Sequence, residues 1–346
     1  MKKTLEQAQV AVIGTSGHAS SELLKLLALH PRVKISALAT GNEQHVGRNI
    51  GDVRAELGGI IDCVCERLSP EEIADRCEVA IATTPPDVSL KYVPGILEGR
   101  SKCIDLSGAY RLHDPDVFER YYGFEHPDTD NLQHAIYGLP ELFRKRIKRA
   151  LLVANPGCYP TAAALAVAPV LDWEMINSAY PIIVRAISGY SGAGVQYQPR
   201  GGIRPYRIGC HQHTPEIAQV YQDYLRHRDQ EPYDMNVSFA PRINDDVERG
   251  IDADISVLLD RDYDEKMLRE TYASFYEDEP LVEVLEKEPE VQNVAGKNGA
   301  QLAVWKENQL LHVIAVIDNL RKGAASQAIQ NLNLMCDFDE MEGLRD

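Results

Sequence analysis

Gln9-Val10-Ala11-Val12-Ile13-Gly14-Thr15-Ser16-Gly17-His18-Ala19-Ser20-Ser21-Glu22-Leu23-Leu24-Lys25-Leu26-Leu27-Ala28-Leu29-His30-Pro31 decides the fold. Gln9–Ile13 is a short apolar run that reads as a buried strand. It stops at Gly14-Thr15-Ser16-Gly17, and Glu22–Leu29 then has helix-forming composition. His30-Pro31 closes that helix, because proline cannot continue it. Val33–Ala39 alternates like a second strand. Strand, glycine turn, helix and strand within about 30 residues make a βαβ unit.

The same alternation continues outward. Glu78–Thr83, Lys102–Ser107 and Leu151–Asn155 read as strands, with a turn at Pro85-Pro86 and a helix over 88–98. Strands alternating with helices imply a parallel, doubly wound α/β sheet. After about residue 180 the texture changes. Ile182–Ala186, Met235–Phe239, Ile251–Val257 and Leu310–Ile317 read as longer strands, and the main helices lie over 215–226 and 264–276. That pattern predicts an α+β domain with a mixed or antiparallel sheet. The expected domains are 1–157 and 158–320, with a C-terminal helix in 321–346 completing the first. That helix, Lys322–Met335, reads as amphipathic. Glu277–Glu290, with seven acids against one lysine, reads as a solvated loop or edge.

A chain of 346 residues is long enough for about two domains. A net charge of −16 argues against non-specific nucleic-acid binding, which needs a basic surface. No run approaches the roughly 18 apolar residues of a membrane helix, so no membrane partner is expected. Two lysines near the N-terminus are followed by no apolar core, so no secretory leader is expected. Seven cysteines, odd in number and scattered, fit a reduced, cytoplasmic protein.

Several places carry chemistry. Gly14, Thr15, Ser16 and Gly17 follow a strand and open a helix, where tight backbone and free amides suit a pyrophosphate. The second strand ends at Ala39-Thr40-Gly41-Asn42, with no acid to bond a ribose hydroxyl. The small polar Thr40 leaves room for a ribose phosphate, which favours NADP; Arg48 is the nearest downstream arginine. Cys158, in Asn155-Pro156-Gly157-Cys158-Tyr159-Pro160, stands at the entrance of an alanine-rich helix. The positive end of that helix dipole favours a thiolate nucleophile, and nearby amides suit an oxyanion. A thiol nucleophile needs a proton carrier. His211 and His213 are the candidates, because extended backbone would point both to one side. In this reading Thr214 caps the following helix and Pro215 begins it. No third ligand cluster accompanies the pair, so no metal is expected. Ser188-Gly189-Tyr190-Ser191-Gly192-Ala193-Gly194 is a second glycine-rich segment, readable as an anion cradle or as a bend between domains.

Together these motifs resemble the N-acetyl-gamma-glutamyl-phosphate reductase family, the arginine-pathway branch of the semialdehyde dehydrogenase superfamily. The resemblance rests on Gly14–Gly17, Asp105–Leu112, Tyr121–His126, Tyr137–Glu141, Asn155–Ala162, Ser191–Gly194, His211–Ile217 and Ile317–Ala325, in that order. It implies a Rossmann domain plus a catalytic and oligomerisation domain. It implies Cys158 as nucleophile and the H-x-H segment as source of the base, with His213 favoured over His211. It also implies NADP bound by Gly14, Thr15, Ser16, Gly17, Thr40, Ser188, Gly189, Gly192 and Asn319. The implied reaction reduces an acyl phosphate to a semialdehyde and releases phosphate, in a homo-oligomer, dimer or tetramer. The chain departs from the family pattern at Pro86-Asp87, Val195, Arg242–Asp245 and Lys297, which leaves open an aminoadipyl or carrier-bound acyl group, or a non-catalytic NADP-binding role.

Overall fold

The computed structural model describes residues 6–233 and 235–345. The chain divides into two compact units, Met1–Pro156 with Ala324–Asp346, and Gly157–Gly323.

In the first unit seven strands form one parallel sheet. They are β1 (Ala8–Ile13), β2 (Val33–Ala39), β3 (Cys65–Glu66), β4 (Val79–Ala82), β5 (Lys102–Asp105), β6 (Ile136–Tyr137) and β7 (Leu152–Ala154). Their spatial order is β3-β2-β1-β4-β5-β7-β6, with parallel pairing throughout. Every residue of β4 and the last four of β1 are buried, as expected of central strands covered on both faces. The order reverses direction between β1 and β4, so Gly14 and Thr83 lie at the switch point, where such sheets bind ligands.

The C-terminal helix runs Ser326–Cys336 and departs from the amphipathic reading, since all eleven residues are buried. Its polar side chains serve backbone instead of solvent. Gln327 Nε2 and Asn331 Nδ2 both donate to the Gly138 carbonyl, at 2.7 and 2.8 Å. Asn333 Nδ2 donates to the carbonyls of Glu340 and Glu342, at 3.1 and 2.8 Å. Buried amides with such partners do not mark a wet face.

The second unit holds a mixed seven-stranded sheet. Its strands are β8 (Ile182–Gly189), β9 (Ile203–Pro205), β10 (Val237–Asn244), β11 (Ile251–Leu258), β12 (Val282–Leu285), β13 (Ala300–Glu307) and β14 (Leu310–Ile317). The order is β12-β13-β14-β11-β8-β10-β9. β10 with β8 and β12 with β13 are parallel; the remaining pairs are antiparallel. The acidic stretch after Glu277 contains β12, the outermost strand, where charge blunts edge pairing.

The helix Cys158–Asp172 is apolar all round and buried from Tyr159 to Leu171. Pro169, inside it, has no N–H to offer the Leu165 carbonyl four residues back. The Tyr276 hydroxyl donates to that carbonyl and supplies the missing bond. Tyr272 and Tyr221 hydroxyls donate to Ala166 and Ala163 carbonyls at 2.6 and 3.0 Å. The helix carrying Cys158 at its first position is therefore anchored from several sides.

Candidate active site

Gly157 precedes the helix with extended backbone (φ −68, ψ 152) and Cys158 is its first residue. The first amides of a helix have no carbonyl within it, and Pro160 has no N–H at all. Amides of Cys158 and Tyr159 are thus the donors this helix end provides. The Gly157 amide is engaged elsewhere, donating to Glu216 Oε1 at 2.8 Å. Cys158 is half-buried, whereas Cys65, Cys77, Cys103 and Cys336 are buried. Burial pushes the thiols of Cys77 and Cys336 up to about 11 and that of Cys103 far above its ordinary value. Those cysteines remain protonated and inert. Gly323 lies against the thiol residue so closely that a Cβ there would stand 2.7 Å from Cys158 Cβ.

His211 and His213 come together, with ring centroids 4.6 Å apart, though not for the reason the sequence suggested. Gln212 has helical backbone and the helix begins at His213, so Thr214 is not its cap. The turn brings the rings together edge-on, at an interplanar angle of 60°. His211 Nδ1 accepts the His213 backbone N–H at 3.1 Å, which gives the helix start a side-chain acceptor. Burial, reinforced by the neighbouring His213, drives the His211 pKa down to about 3. His211 is therefore neutral, with its ring fixed by a backbone donor. The His213 Nε2 atom lies 3.9 Å from Glu216 Oε2, and the Glu216 side chain is fully buried.

Aromatic rings enclose the pair. Tyr159 lies 6.1 and 5.8 Å from His211 and His213, Tyr206 lies 5.5 Å from His211, and Phe239 packs 5.4 Å from His211. The Tyr159 hydroxyl donates to the Arg242 carbonyl at 2.9 Å, and Tyr206 donates to the Tyr159 oxygen at 3.1 Å. Burial raises both phenols, Tyr206 to about 12, and a charge on the nearby Cys158 raises them further. Both stay neutral beside the thiol. The sequence reading did not single out Tyr159, Tyr206, Glu216 or Gly323. The His213–Glu216 spacing of three was the available signal, since such residues share a helix face. The two tyrosines are 47 positions apart and had none.

Ser188, Gly192 and Asn319 also meet, and Gly189 lies against the Glu248 backbone, all within the second unit, so the segment is not a bend between units. A Cβ on Gly192 would lie 3.2 Å from Ser188 Oγ and 3.4 Å from Asn319 Nδ2. Asn319 Nδ2 donates to Ser191 Oγ at 3.0 Å, and its Oδ1 accepts the Gly250 amide at 2.7 Å. Tyr190–Ala193 makes a short 3₁₀ turn. Arg249 is paired with buried Asp318 at 3.0 Å. Among the described residues no group of three or more His, Cys, Asp or Glu could hold a metal.

In the first unit, Gly14 has φ +90, and a Cβ there would meet Thr84 Cγ2 at 2.9 Å, so only glycine fits. Its carbonyl accepts Ser20 Oγ at 2.7 Å and Thr83 Oγ1 at 2.8 Å, which locks the turn. Gly17 caps the helix His18–Leu29 without any side-chain bond, and a Cβ there would meet nothing within 4 Å. Thr15 is buried and Ser16 exposed in the same turn. Open space beside uncapped helix amides at the switch point suits a dinucleotide pyrophosphate. Thr40 is buried, and its Oγ1 accepts the Asn42 amide at 3.2 Å. Arg48 donates to the Asp52 carbonyl at 2.7 Å.

A doubly wound dinucleotide fold joined in one chain to a thiol at a helix start defines an oxidoreductase of the semialdehyde dehydrogenase type. Residues 9–150 match the model of the semialdehyde dehydrogenase NAD binding domain and residues 158–319 that of its dimerisation domain. The chain belongs to the semialdehyde dehydrogenase family. It is 35% identical to an N-acetyl-gamma-glutamyl-phosphate reductase of Methanosphaera stadtmanae, over 99% of this chain and 98% of that one. It is 36% identical to the enzyme of the same name from Desulfotalea psychrophila, over 97% of each. A LysW-L-2-aminoadipate/LysW-L-glutamate phosphate reductase of Nitrosopumilus maritimus is 35% identical, over 97% of this chain and 98% of its own. Among solved structures, aspartate semialdehyde dehydrogenase II from Vibrio cholerae shares the fold, with a TM-score of 0.73 at 18% identity over 96% of this chain and 99% of that one. Among the described residues no helix is long and apolar enough to cross a membrane.

Proposed function

We propose that the chain reduces N-acetyl-gamma-glutamyl phosphate to N-acetylglutamate gamma-semialdehyde with release of phosphate, in arginine biosynthesis, as a cytoplasmic homo-oligomer, dimer or tetramer. The observation that carries the reading is Cys158 at the start of a buried helix, next to Tyr159, whose ring lies 5.8 Å from that of His213. The names borne by relatives at 35 and 36% identity support the substrate.

In this reading Cys158 is the nucleophile. The helix dipole favours its thiolate, which attacks the acyl carbon; the carbon–oxygen bond to phosphate breaks and a thioester forms. Amides of Cys158 and Tyr159 at the helix start stabilise the oxyanion. When bound in its reduced form, NADP would supply the hydride for reduction of the thioester to the aldehyde level. Gly14, Thr15, Ser16, Gly17 and Thr40 of the first unit would hold the dinucleotide. His213 carries the proton as the aldehyde departs. His211, neutral and bonded to the His213 amide, is the weaker candidate for that role.

The experiment is phosphate-dependent reduction of NADP by N-acetylglutamate gamma-semialdehyde. Turnover supports the reading. Turnover only with an aminoadipate or carrier-bound semialdehyde would move the substrate toward the class named for the Nitrosopumilus relative. Clean NADP binding with no turnover on any of them would refute it.

A further inference from the structure

We propose that Glu216 is a positioning residue for the reaction, a single carboxylate that holds the backbone ahead of the nucleophile and sets the orientation and charge of the His213 imidazole. The proposal rests on the reading above, in that Cys158 and His213 are the groups it positions.

The geometry is specific. Glu216 stands three residues after His213, on the first turn of the helix His213–His227, so both side chains leave the same face. Its side chain is fully buried. One oxygen accepts the Gly157 amide at 2.8 Å, across 59 positions of sequence. The other faces His213 Nε2 at 3.9 Å. A buried carboxylate is costly unless it is bonded and paired, so its persistence here calls for partners of this kind. A helix N-terminus also favours a negative charge in its first turn.

Two consequences follow. First, the Gly157 amide is committed to Glu216, which fixes the turn that aims Cys158 and restricts oxyanion donors to residues 158 and 159. Second, an anion opposite His213 Nε2 stabilises the imidazolium and keeps the ring aimed across the site. The other groups around His213 pull differently. His211 is neutral, Tyr159 and Tyr206 are neutral phenols, and Arg207, which bears on His211, opposes a positive charge. The thiol of Cys158 is a further ionisable neighbour of the two phenols. Glu216 is thus the carboxylate placed to hold a proton on His213.

The test compares wild type, Glu216→Gln and Glu216→Asp. Histidines are labelled with nitrogen-15, and the His213 resonance is assigned by its loss in His213→Ala. Removing an opposite charge within about 4–6 Å moves a pKa by about 1–3 units. In folded Glu216→Gln, the His213 titration midpoint should therefore fall by at least about one unit. Steady-state kcat should fall by about 10- to 100-fold, within the usual reach of acid–base chemistry, with KM changed less than about twofold. The acid limb of the kcat profile should move down with the midpoint. Glu216→Asp keeps the charge and should hold the midpoint within about half a unit while losing part of kcat. It also supplies the answer if Glu216→Gln does not fold. An unmoved midpoint in folded Glu216→Gln, or a midpoint lowered by about one unit or more in Glu216→Asp, overturns the proposal. The titration needs no substrate, so failure of every semialdehyde to turn over would sink the functional reading and leave this measurement standing.

Discussion

Replacing Gly323 by alanine should disable the thiol without touching its chemistry. The added Cβ would stand 2.7 Å from Cys158 Cβ, 3.3 Å from Cys158 Cα and 3.3 Å from the Asp318 carbonyl oxygen. Carbon atoms in contact prefer about 3.5–4.0 Å, so about 1 Å must be recovered. Neither side yields readily. The Gly323 amide is bonded to the Asp318 carbonyl at 2.9 Å, and the backbone before Cys158 is held by Glu216. Overpacking of this kind costs about 1–3 kcal/mol. At about 2–4 °C per kcal/mol for a unit of this size, Tm should drop by about 2–12 °C. A 1 Å displacement of a reacting atom costs about 10²-fold in rate. Thermal melting, kcat with the semialdehyde, and the alkylation rate of Cys158 by iodoacetamide read these effects together. A variant with wild-type kcat and a Tm within about 1 °C would refute the packing argument.

Other substitutions test separate parts. His213→Ala should lower kcat by about 10²–10⁴-fold with cofactor affinity nearly unchanged, and a larger loss in His211→Ala would reverse the assignment within the pair. Because the folded His211 titrates near 3 instead of 6.5, the unfolded chain binds a proton there first as pH falls. Its contribution therefore lowers stability as pH drops below about 6.5 and vanishes above it. His211→Gln should flatten the stability–pH curve between about 4 and 6.5, by up to about 1.4 kcal/mol per pH unit relative to wild type; parallel curves would contradict the neutral assignment. Thr40→Asp should raise KM for NADPH by about tenfold or more through repulsion of the ribose phosphate, and equal NADH and NADPH kinetics in the unmodified protein would overturn the preference.

What the sequence disclosed, and what it hid, follows from the range of the interactions. The βαβ start was legible because apolar runs, glycines and His30-Pro31 act locally, and β1, β2, β4, β5 and β7 appear where the alternation put them. Strands β3, β6 and β9 are two or three residues long, too short for any period to register. The C-terminal helix misled because its amides bond backbone 189 and 193 positions away, and sequence reads such residues as a wet face. At the site, Cys158 was visible from the turn and proline around it. The histidine pair was visible too, but its geometry comes from a helical turn at Gln212 and not from extended backbone. Tyr206 and Gly323 act through contacts made only when distant segments fold together.

The central claim is a covalent acyl group on Cys158 that phosphate must remove. With N-acetylglutamate gamma-semialdehyde and NADP but no phosphate, the cycle should stop after one hydride transfer. NADPH should appear as a burst of about one equivalent per site, and intact-mass analysis should find one acyl adduct on the peptide around Asn155–Pro160. Cys158→Ser should give neither, because a serine hydroxyl stays protonated where a thiol ionises. Steady turnover without phosphate, or an adduct on any other cysteine, would contradict the account.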